Sequence, residues 1–380
     1  MNLSFLRPLY GETGDYVSVY LDTDRSHENA LTAIELRWQA ARQRLAEAGA
    51  SAASLDAAAA VTGGPGEARG YAVFTRAGAV AFTGTLDAPP RREIARLAPL
   101  PHLMPLLAQR RPPIPHLRVS ATRTGGEIVA VGDPAHGGTG QGWRDWVAGQ
   151  QWPVHKTRSG GWSQERHQRS VEETWAENAR TLAAEVNQVA RRIGAQHVIV
   201  SGDVRARSLL LEHLATPLRE SAAVLDEEVS ADSQAMTQAA DRALEEWAGR
   251  HCRERFDDWR ARLAHGLAVE GLARTMAAFR DGQVSDLFLA DDPASTASAW
   301  IGPGGSDLAA SREELLELDV PAPAADRADA AIVRAIAHTE AELHFLPADL
   351  VETGNPEACG GIARPLDGVC ATLRFSLEGG

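Results

Sequence analysis

Lysine is almost missing from this chain: Lys156 is its single lysine, beside 37 arginines. Such a skew is what a GC-rich genome produces, so arginine abundance carries no functional weight by itself. Cysteine is scarce too. Cys252, Cys359 and Cys370 are an odd number at wide spacing with no C-x-x-C pair, which argues against a disulfide framework and a structural zinc site. No apolar run is long enough to span a membrane, and the N-terminal MNLSFLRPLYGETGDY lacks the apolar core of a signal peptide. The expectation is a soluble, cytoplasmic protein with no membrane partner. Catalytic signatures are missing as well: there is no H-E-x-x-H, G-x-S-x-G, Walker A or deaminase pattern, and no internal repeat or heptad array. The Gly-rich stretch 137–142, GGTGQG, lacks the lysine of a phosphate loop and the strand-then-helix setting of a dinucleotide fingerprint. No cofactor and no metal are expected.

What is present suffices for ordinary cores. A length of 380 residues with 44% hydrophobic content allows two or three domains. Charge is spread unevenly over them. Residues 1–111 hold 12 arginines against 11 acids, 112–263 hold 19 basic against 21 acidic residues, and 264–380 hold 7 arginines against 19 acids. The last third thus carries nearly all of the net charge of −13. Such a surface repels phosphate and suits docking on a basic protein.

In chain order, 16–21 is β-branched and aromatic between aspartates and reads as a strand followed by a turn. Asp22 and Asp24 fit turn-capping carboxylates better than metal ligands, since no other ligands cluster with them. Residues 30–47 have Ile34, Trp38, Ala41 and Leu45 at helical spacing, the Ala-rich 52–61 continues helically, and 71–74 with 79–82 form a hairpin. Arg110-Arg111-Pro112-Pro113 marks a linker. A second unit begins with paired strands at 117–120 and 127–131. Val171, Trp175, Ala179, Leu182, Val186 and Val189 give a helix from about 169 to 192. A buried strand at 197–202, a helix at 204–214 and a strand at 222–225 favour a parallel or mixed sheet, and a long helix over 232–263 leads out. A third unit reads as helix 268–280, strand 286–290, a loop over 292–312, helix 326–338, strand 341–346 and a final strand 369–375.

The one stretch with several unlikely features together is 152–175, WPVHKTRSGGWSQERHQRSVEETW. Lys156, Arg158, Arg166 and Arg169 face only Glu165 up to residue 169, a basic island in an acidic protein. Gly160 and Gly161 allow positive φ or close approach to another molecule, and Trp162 follows them directly. His155 and His167 bracket the glycines. Glu172 and Glu173, early in the helix, suit its macrodipole. Five of nine tryptophans, Trp143, Trp146, Trp152, Trp162 and Trp175, fall within 33 residues. From the residues alone this is a cationic Gly-Gly loop suited to phosphate-rich RNA.

The pattern Gly160-Gly161-Trp162-Ser163-x-x-Arg166-His167-x-Arg169-x-x-x-Glu173 resembles the GGQ loop of archaeal and eukaryotic class I release factors, G-G-Q-S-x-x-R-F-x-R followed by a helical Glu. A second signature lies near the C-terminus, where Gly360-Gly361-Ile362 and then 369–375, VCATLRF, resemble that family's G-G-I-G-G-I-L-R-Y end in split form. The chain resembles the bacterial branch of this release factor and Pelota superfamily, which includes Balon-type ribosome hibernation factors and release-factor-like relatives. The resemblance implies three domains: an N-terminal α/β domain at 1–111, a central RNase H-like domain at 112–263 with the Gly-Gly loop, and an acidic C-terminal α/β/α sandwich at 264–380. It implies a ribosome as partner, through rRNA and basic ribosomal proteins, and a translational GTPase at the acidic third domain. His155, Lys156, Arg158, Gly160, Gly161, Trp162, Ser163, Arg166, His167 and Arg169 are then the expected RNA contacts. In release factors the glutamine of the tripeptide helps orient the hydrolytic water, and here Trp162 stands in its position. A non-hydrolytic ribosome-binding factor is therefore expected. The alternatives are a peptidyl-tRNA hydrolase using Gln164 or His155, and a ribosome-independent RNA-binding or nuclease module.

Overall fold

The computed structural model describes residues 1–11, 14–26, 28–63, 68–109, 114–132, 143–148, 162–292, 295–346 and 365–376, with backbone alone for 143–148 and 162–171. In the first third, Tyr16–Asp22 forms β1, Ala30–Glu47 α1, Ala52–Ala59 α2, Gly70–Arg76 β2, Ala79–Leu86 β3, Ile94–Ala98 β4 and Met104–Gln109 α3. The strands make an antiparallel sheet in the order β3-β2-β1-β4. Val17, Val19 and Leu21 meet Trp38, Ala41 and Leu45 of α1 in one core, whereas Tyr20 on the other face packs with Phe74, Leu106 and Leu107 in another. Burial on both faces explains why β1 reads as continuously apolar rather than alternating. Beyond β1, the Asp22 carboxylate accepts from the Asp24 amide and the Asp24 carboxylate from the Ser26 amide, both at 2.9 Å, so the two aspartates cap a turn.

In the central third, His116–Thr122 is β5, Gly125–Val131 β6, Trp143–Ala148 β7, Trp162–Ile193 α4, His197–Gly202 β8, Val204–His213 α5, Thr216–Glu220 α6, Ala223–Val224 β9 and Gln234–Leu263 α7. The sheet order is β7-β6-β5-β8-β9. β5, β6 and β7 form an antiparallel meander, and β8 and β9 add to it in parallel, so the sheet is mixed. Leu182, Val186 and Val189 of α4 fill a core with Leu117, Val119, Ile128, Val198 and Val200. β7 contains Trp143 and Trp146, two of the five clustered tryptophans.

In the last third, Ala268–Glu270 is β10, Leu272–Arg280 α8, Val284–Leu289 β11, Ser298–Ile301 β12, Leu308–Ala309 β13, Arg312–Glu317 α9, Ala324–Arg327 β14, Ala328–Thr339 α10, Glu342–Phe345 β15 and Val369–Leu373 β16. The helix expected over 268–280 is in fact a short strand and a helix, separated by Gly271 at φ +84°. The stretch 292–312, expected as loop, contains β12 and β13, which with β14 make a small antiparallel sheet. The larger sheet runs β10-β16-β11-β15. Leu287 and Ala371 on one face join Phe279, Ile332 and Ile336 of α8 and α10, while Phe288 and Cys370 on the other join Phe256 and Trp259 of α7. Alternation along β11 and β16 thus puts helices on both faces.

The mixed α/β chain forms two compact units, Met1–Arg111 with Cys252–Gly380, and Pro112–His251. The first and last thirds share one unit because their contacts run deep. The Met1 amino group donates to the Leu343 carbonyl at 2.7 Å, Arg7 Nε to the Ala337 carbonyl at 3.2 Å, and Leu3, Leu6 and Leu9 join the core of α10. Among the described residues no helix is long and apolar enough to cross a membrane.

Candidate functional site

His155, Lys156, Arg158, Gly160 and Gly161 lie outside the described residues, as do Gly360, Gly361 and Ile362. Trp162, Ser163, Gln164, Arg166, His167 and Arg169 belong to the opening turns of α4, described as backbone. The helix begins at Trp162, immediately after the two glycines, and not near residue 169. Gln, Glu and Arg are good helix formers, but this polar opening has no apolar period by which a sequence reading could detect it. The earlier start moves Glu172 and Glu173 to the third and fourth turns, too far in for a macrodipole role.

Spacings of four, three and four residues put positions 162, 166, 169 and 173 on one stripe of α4. That stripe continues through the exposed Glu173, Arg180 and Ala184. The opposite side carries the buried Leu182, Val186, Val189 and Ile193. Positions 162, 166 and 169 therefore lie in line with the exposed stripe of α4 and opposite its buried one.

The described part of α4 is anchored closely. Gly126 of β6 lets the helix approach: a Cβ there would lie 2.6 Å from Leu182 Cδ2. Farther toward the N-terminus, the Arg123 guanidinium lies over the Trp175 ring at 4.6 Å and pairs with Asp203 at 2.9 Å, and Asn178 Nδ2 donates to the Arg123 carbonyl at 2.9 Å. Asp203 also caps α5, accepting from the amides of Arg205 and Ala206 at 3.0 Å each. Burial opposes ionisation of Asp203, but the Ala206 amide and Arg123 outweigh it and hold the carboxyl below its ordinary range. Of these residues Arg123 and Asp203 border an open cleft of about 480 Å³ at the carboxyl ends of β5 and β8, together with Ser120, Thr122 and Ser230. No sequence pattern links Arg123, Trp175 and Asp203; the fold alone joins them.

A second grouping bears on the nuclease alternative. Among the described residues, Asp286, Glu342 and His344 bring potential ligand atoms within 4.8 Å of one another. Arg255 already supplies the positive charge, donating Nε at 3.2 Å and Nη2 at 2.7 Å to Asp286 Oδ1, and His344 Nε2 lies 3.1 Å from the same oxygen. Although burial opposes it, His344, Ser285 and Arg255 hold the Asp286 carboxyl down at about 2. This arrangement is a charge-balanced network in the unit formed by the first and last thirds, and it involves none of the central sheet's residues.

Comparison with known proteins bears on the central third most directly. Residues 115–265 match the model of bacterial archaeo-eukaryotic release factor family 2. That segment carries the Gly160-Gly161 motif, α4 and the whole mixed sheet, and its match is to a bacterial family of archaeo-eukaryotic release factor type. The uncharacterized protein Rv2629 of Mycobacterium tuberculosis (strain H37Rv) is 27% identical over 387 residues, which cover 98% of this chain and 96% of that protein. Similar solved structures include the archaeal translation termination factor aRF1, at 16% identity and a TM-score of 0.25 over 98% of this chain and 96% of the other. A model of ribosome-bound archaeal Pelota with ABCE1 is 13% identical, at a TM-score of 0.37 over 99% and 95%.

Proposed function

We propose that this protein is a ribosome-associated factor of release-factor type that binds without hydrolysing, in a hibernating or stalled ribosome. The observation that carries the reading is Trp162 at the glutamine position of the Gly-Gly motif, at the first residue of α4, inside the segment matched by the release factor family model. Tryptophan offers a flat surface and one N–H donor, which suits stacking or wedging and not the orientation of a water. The stripe through positions 162, 166, 169 and 173 then faces rRNA, with Lys156 and Arg158 on the preceding loop adding cationic reach. In this reading the central third is the RNase H-like domain, supported by its order of three antiparallel strands followed by two parallel ones. The division into functional parts at 1–111, 112–263 and 264–380 belongs to the same proposal, as does a cytoplasmic setting. The acidic last third, with 7 arginines against 19 acids, suits docking on a translational GTPase or on basic ribosomal proteins.

Co-sedimentation with 70S ribosomes from starved cells tests the proposal. The protein is expected in the ribosomal fractions, released by added salt, and without peptide release from ribosomes carrying labelled peptidyl-tRNA. Absence from those fractions sinks the reading. Release that disappears in Gln164→Ala or His155→Ala replaces it with the hydrolase reading.

A further inference from the structure

In the sheet order β3-β2-β1-β4, β3 has a neighbour on one side only, and among the described residues its backbone is hydrogen-bonded to β2 alone. An edge strand presents a row of unpaired N–H and C=O groups, and soluble proteins blunt it with charge, proline or shortness. The eight residues of β3, Ala79–Leu86, include no charged residue and no proline. The other edges of this chain are guarded. β4 carries Arg96 and follows Arg91, Arg92 and Glu93, β7 carries Arg144 and Asp145, and β9, β10, β13, β14 and β15 are two to four residues long. One safeguard remains in β3: its ladder shifts between the pairs Phe74 with Phe82 and Thr75 with Val80, which makes Ala81 a bulge near its start. Beyond the bulge, residues 82–86 pair with β2 in unbroken register.

The make-up of that run determines what can pair with it. Phe82, Gly84 and Leu86 lie on the face covered by α3: Phe82 and Leu86 pack in the same core as Leu106, and a Cβ on Gly84 would lie 2.6 Å from Leu106 Cδ2. Thr83 and Thr85 alternate onto the other face, where Thr85 is exposed. A two-fold axis perpendicular to the sheet sets such a strand antiparallel to its own copy and keeps each face on its own side. Threonine then meets threonine, and apolar positions meet apolar positions, pairs that favour an antiparallel ladder. A strand of another protein finds no charged group here that would select it. Residues 1–111 hold 12 arginines against 11 acids in a chain of net charge −13, so copies joined at β3 meet through the most nearly neutral third of the sequence. We infer that two copies of this chain associate through β3, joining two four-stranded sheets into one. This pairing is independent of ribosome binding.

Sedimentation velocity of the full chain tests it. A paired run this short buries less than a standard interface, so the expected behaviour is a monomer of 40.6 kDa at about 1 μM and a dimer of twice that mass at about 100 μM. Hydrogen exchange of the amides in 82–86 is expected to slow at the higher concentration, as outward-facing groups gain partners. Thr83→Lys combined with Thr85→Lys sets like charges against each other across the two-fold axis and is expected to weaken dimerisation at least about tenfold. Thr32→Lys, at an exposed position of α1, is expected to leave dimerisation unchanged, with circular dichroism unaltered in both variants. The inference is overturned if the parent chain is monomeric at both concentrations, if a dimer forms without slowing exchange in 82–86, or if the folded double variant dimerises like the parent.

Discussion

The carboxylate of Asp326 accepts a hydrogen bond from the Arg96 guanidinium, tying β14 to β4 across 230 residues of sequence. Its second oxygen accepts from the Leu100 amide at 2.8 Å. The Asp326 side chain is fully buried and Arg96 is mostly buried, so the pair is shielded from water. Removing one member of such a pair leaves an uncompensated buried charge, which costs more than the pair itself contributes. Asp326→Ala is expected to destabilise the unit formed by the first and last thirds by about 3–5 kcal/mol. Urea unfolding measures it; a loss below about 1 kcal/mol, typical of an exposed pair, refutes the role assigned here.

Acid should weaken the central unit through His197. The ring is 5% exposed, lies 4.3 Å from the Trp247 ring and has no partner for Nε2 among the described residues. Burial, with His116, Arg250 and His251 nearby, pushes it down to about 4. The folded value lies below the unfolded one near 6.5, so this contribution is complete above about pH 6.5 and is lost as pH falls toward 4. The loss sums to about 3 kcal/mol. Unfolding followed by tryptophan fluorescence at pH 7 and pH 4.5 should show it in the parent chain, with a markedly smaller change in His197→Phe. Equal acid sensitivity in both chains rules His197 out as the source.

The elements that periodicity can see were legible: α1 spans 30–47 as its Ile34, Trp38, Ala41 and Leu45 spacing predicts, and the 71–82 hairpin and the mixed central sheet follow from local patterns. What sequence could not give depends on distant partners. β4 reads IARLA, an ambiguous pattern that becomes a strand by pairing with β1. The opening of α4 is polar and reveals its helix only through its backbone. The union of first and last thirds rests on contacts such as Met1 with Leu343, which no window of sequence contains. For the candidate site, the motif singles out residues of which 155–161 lie outside the described ones, and no sequence pattern announces the Arg123–Trp175 stack or the Asp203 pair.

Gly202 marks where backbone geometry admits no other residue. Its φ is +110°, and a Cβ would lie 2.0 Å from the Ala121 carbonyl oxygen, inside any tolerable contact. The close approach lets the Asp203 amide donate to that same carbonyl at 3.0 Å, holding the ends of β5 and β8 together beneath the cleft. Gly202→Ala is expected to cost roughly 3 kcal/mol or more through strain and displacement of the strand ends. Thermal unfolding monitored at 222 nm checks it. A shift no larger than that of an exposed helix Gly→Ala control refutes the argument.

The arginine stack on Trp175 makes a smaller, separable contribution. Arg123 is about half exposed, so its pairing with Asp203 is screened by solvent, and the cation–π contact is the less salt-sensitive part. Arg123→Ala should lower the stability of the central unit by about 1 kcal/mol, and Arg123→Lys by somewhat less, since lysine keeps charge but loses the planar stack. If added salt erases the whole difference between Arg123 and Lys, the stack contributes nothing.

Trp162 is the residue on which the proposed function turns, and two substitutions separate its possible roles. Stacking of a base on an aromatic ring is worth about 1–3 kcal/mol, so Trp162→Ala should weaken ribosome binding by at least about fivefold if the ring contacts rRNA. Trp162→Gln restores an amide that can both donate to and accept from a water. Under the proposal this variant gains peptidyl-tRNA hydrolysis that the parent chain lacks, because the flanking glycines, Ser163 and Arg166 already match the release factor pattern. Ribosome sedimentation and a labelled-peptide release assay read the two effects separately. Unchanged binding in Trp162→Ala would mean that the ring packs on its own chain. Peptide release by the parent chain itself would mean that glutamine at this position is dispensable, and the argument from its replacement would fall.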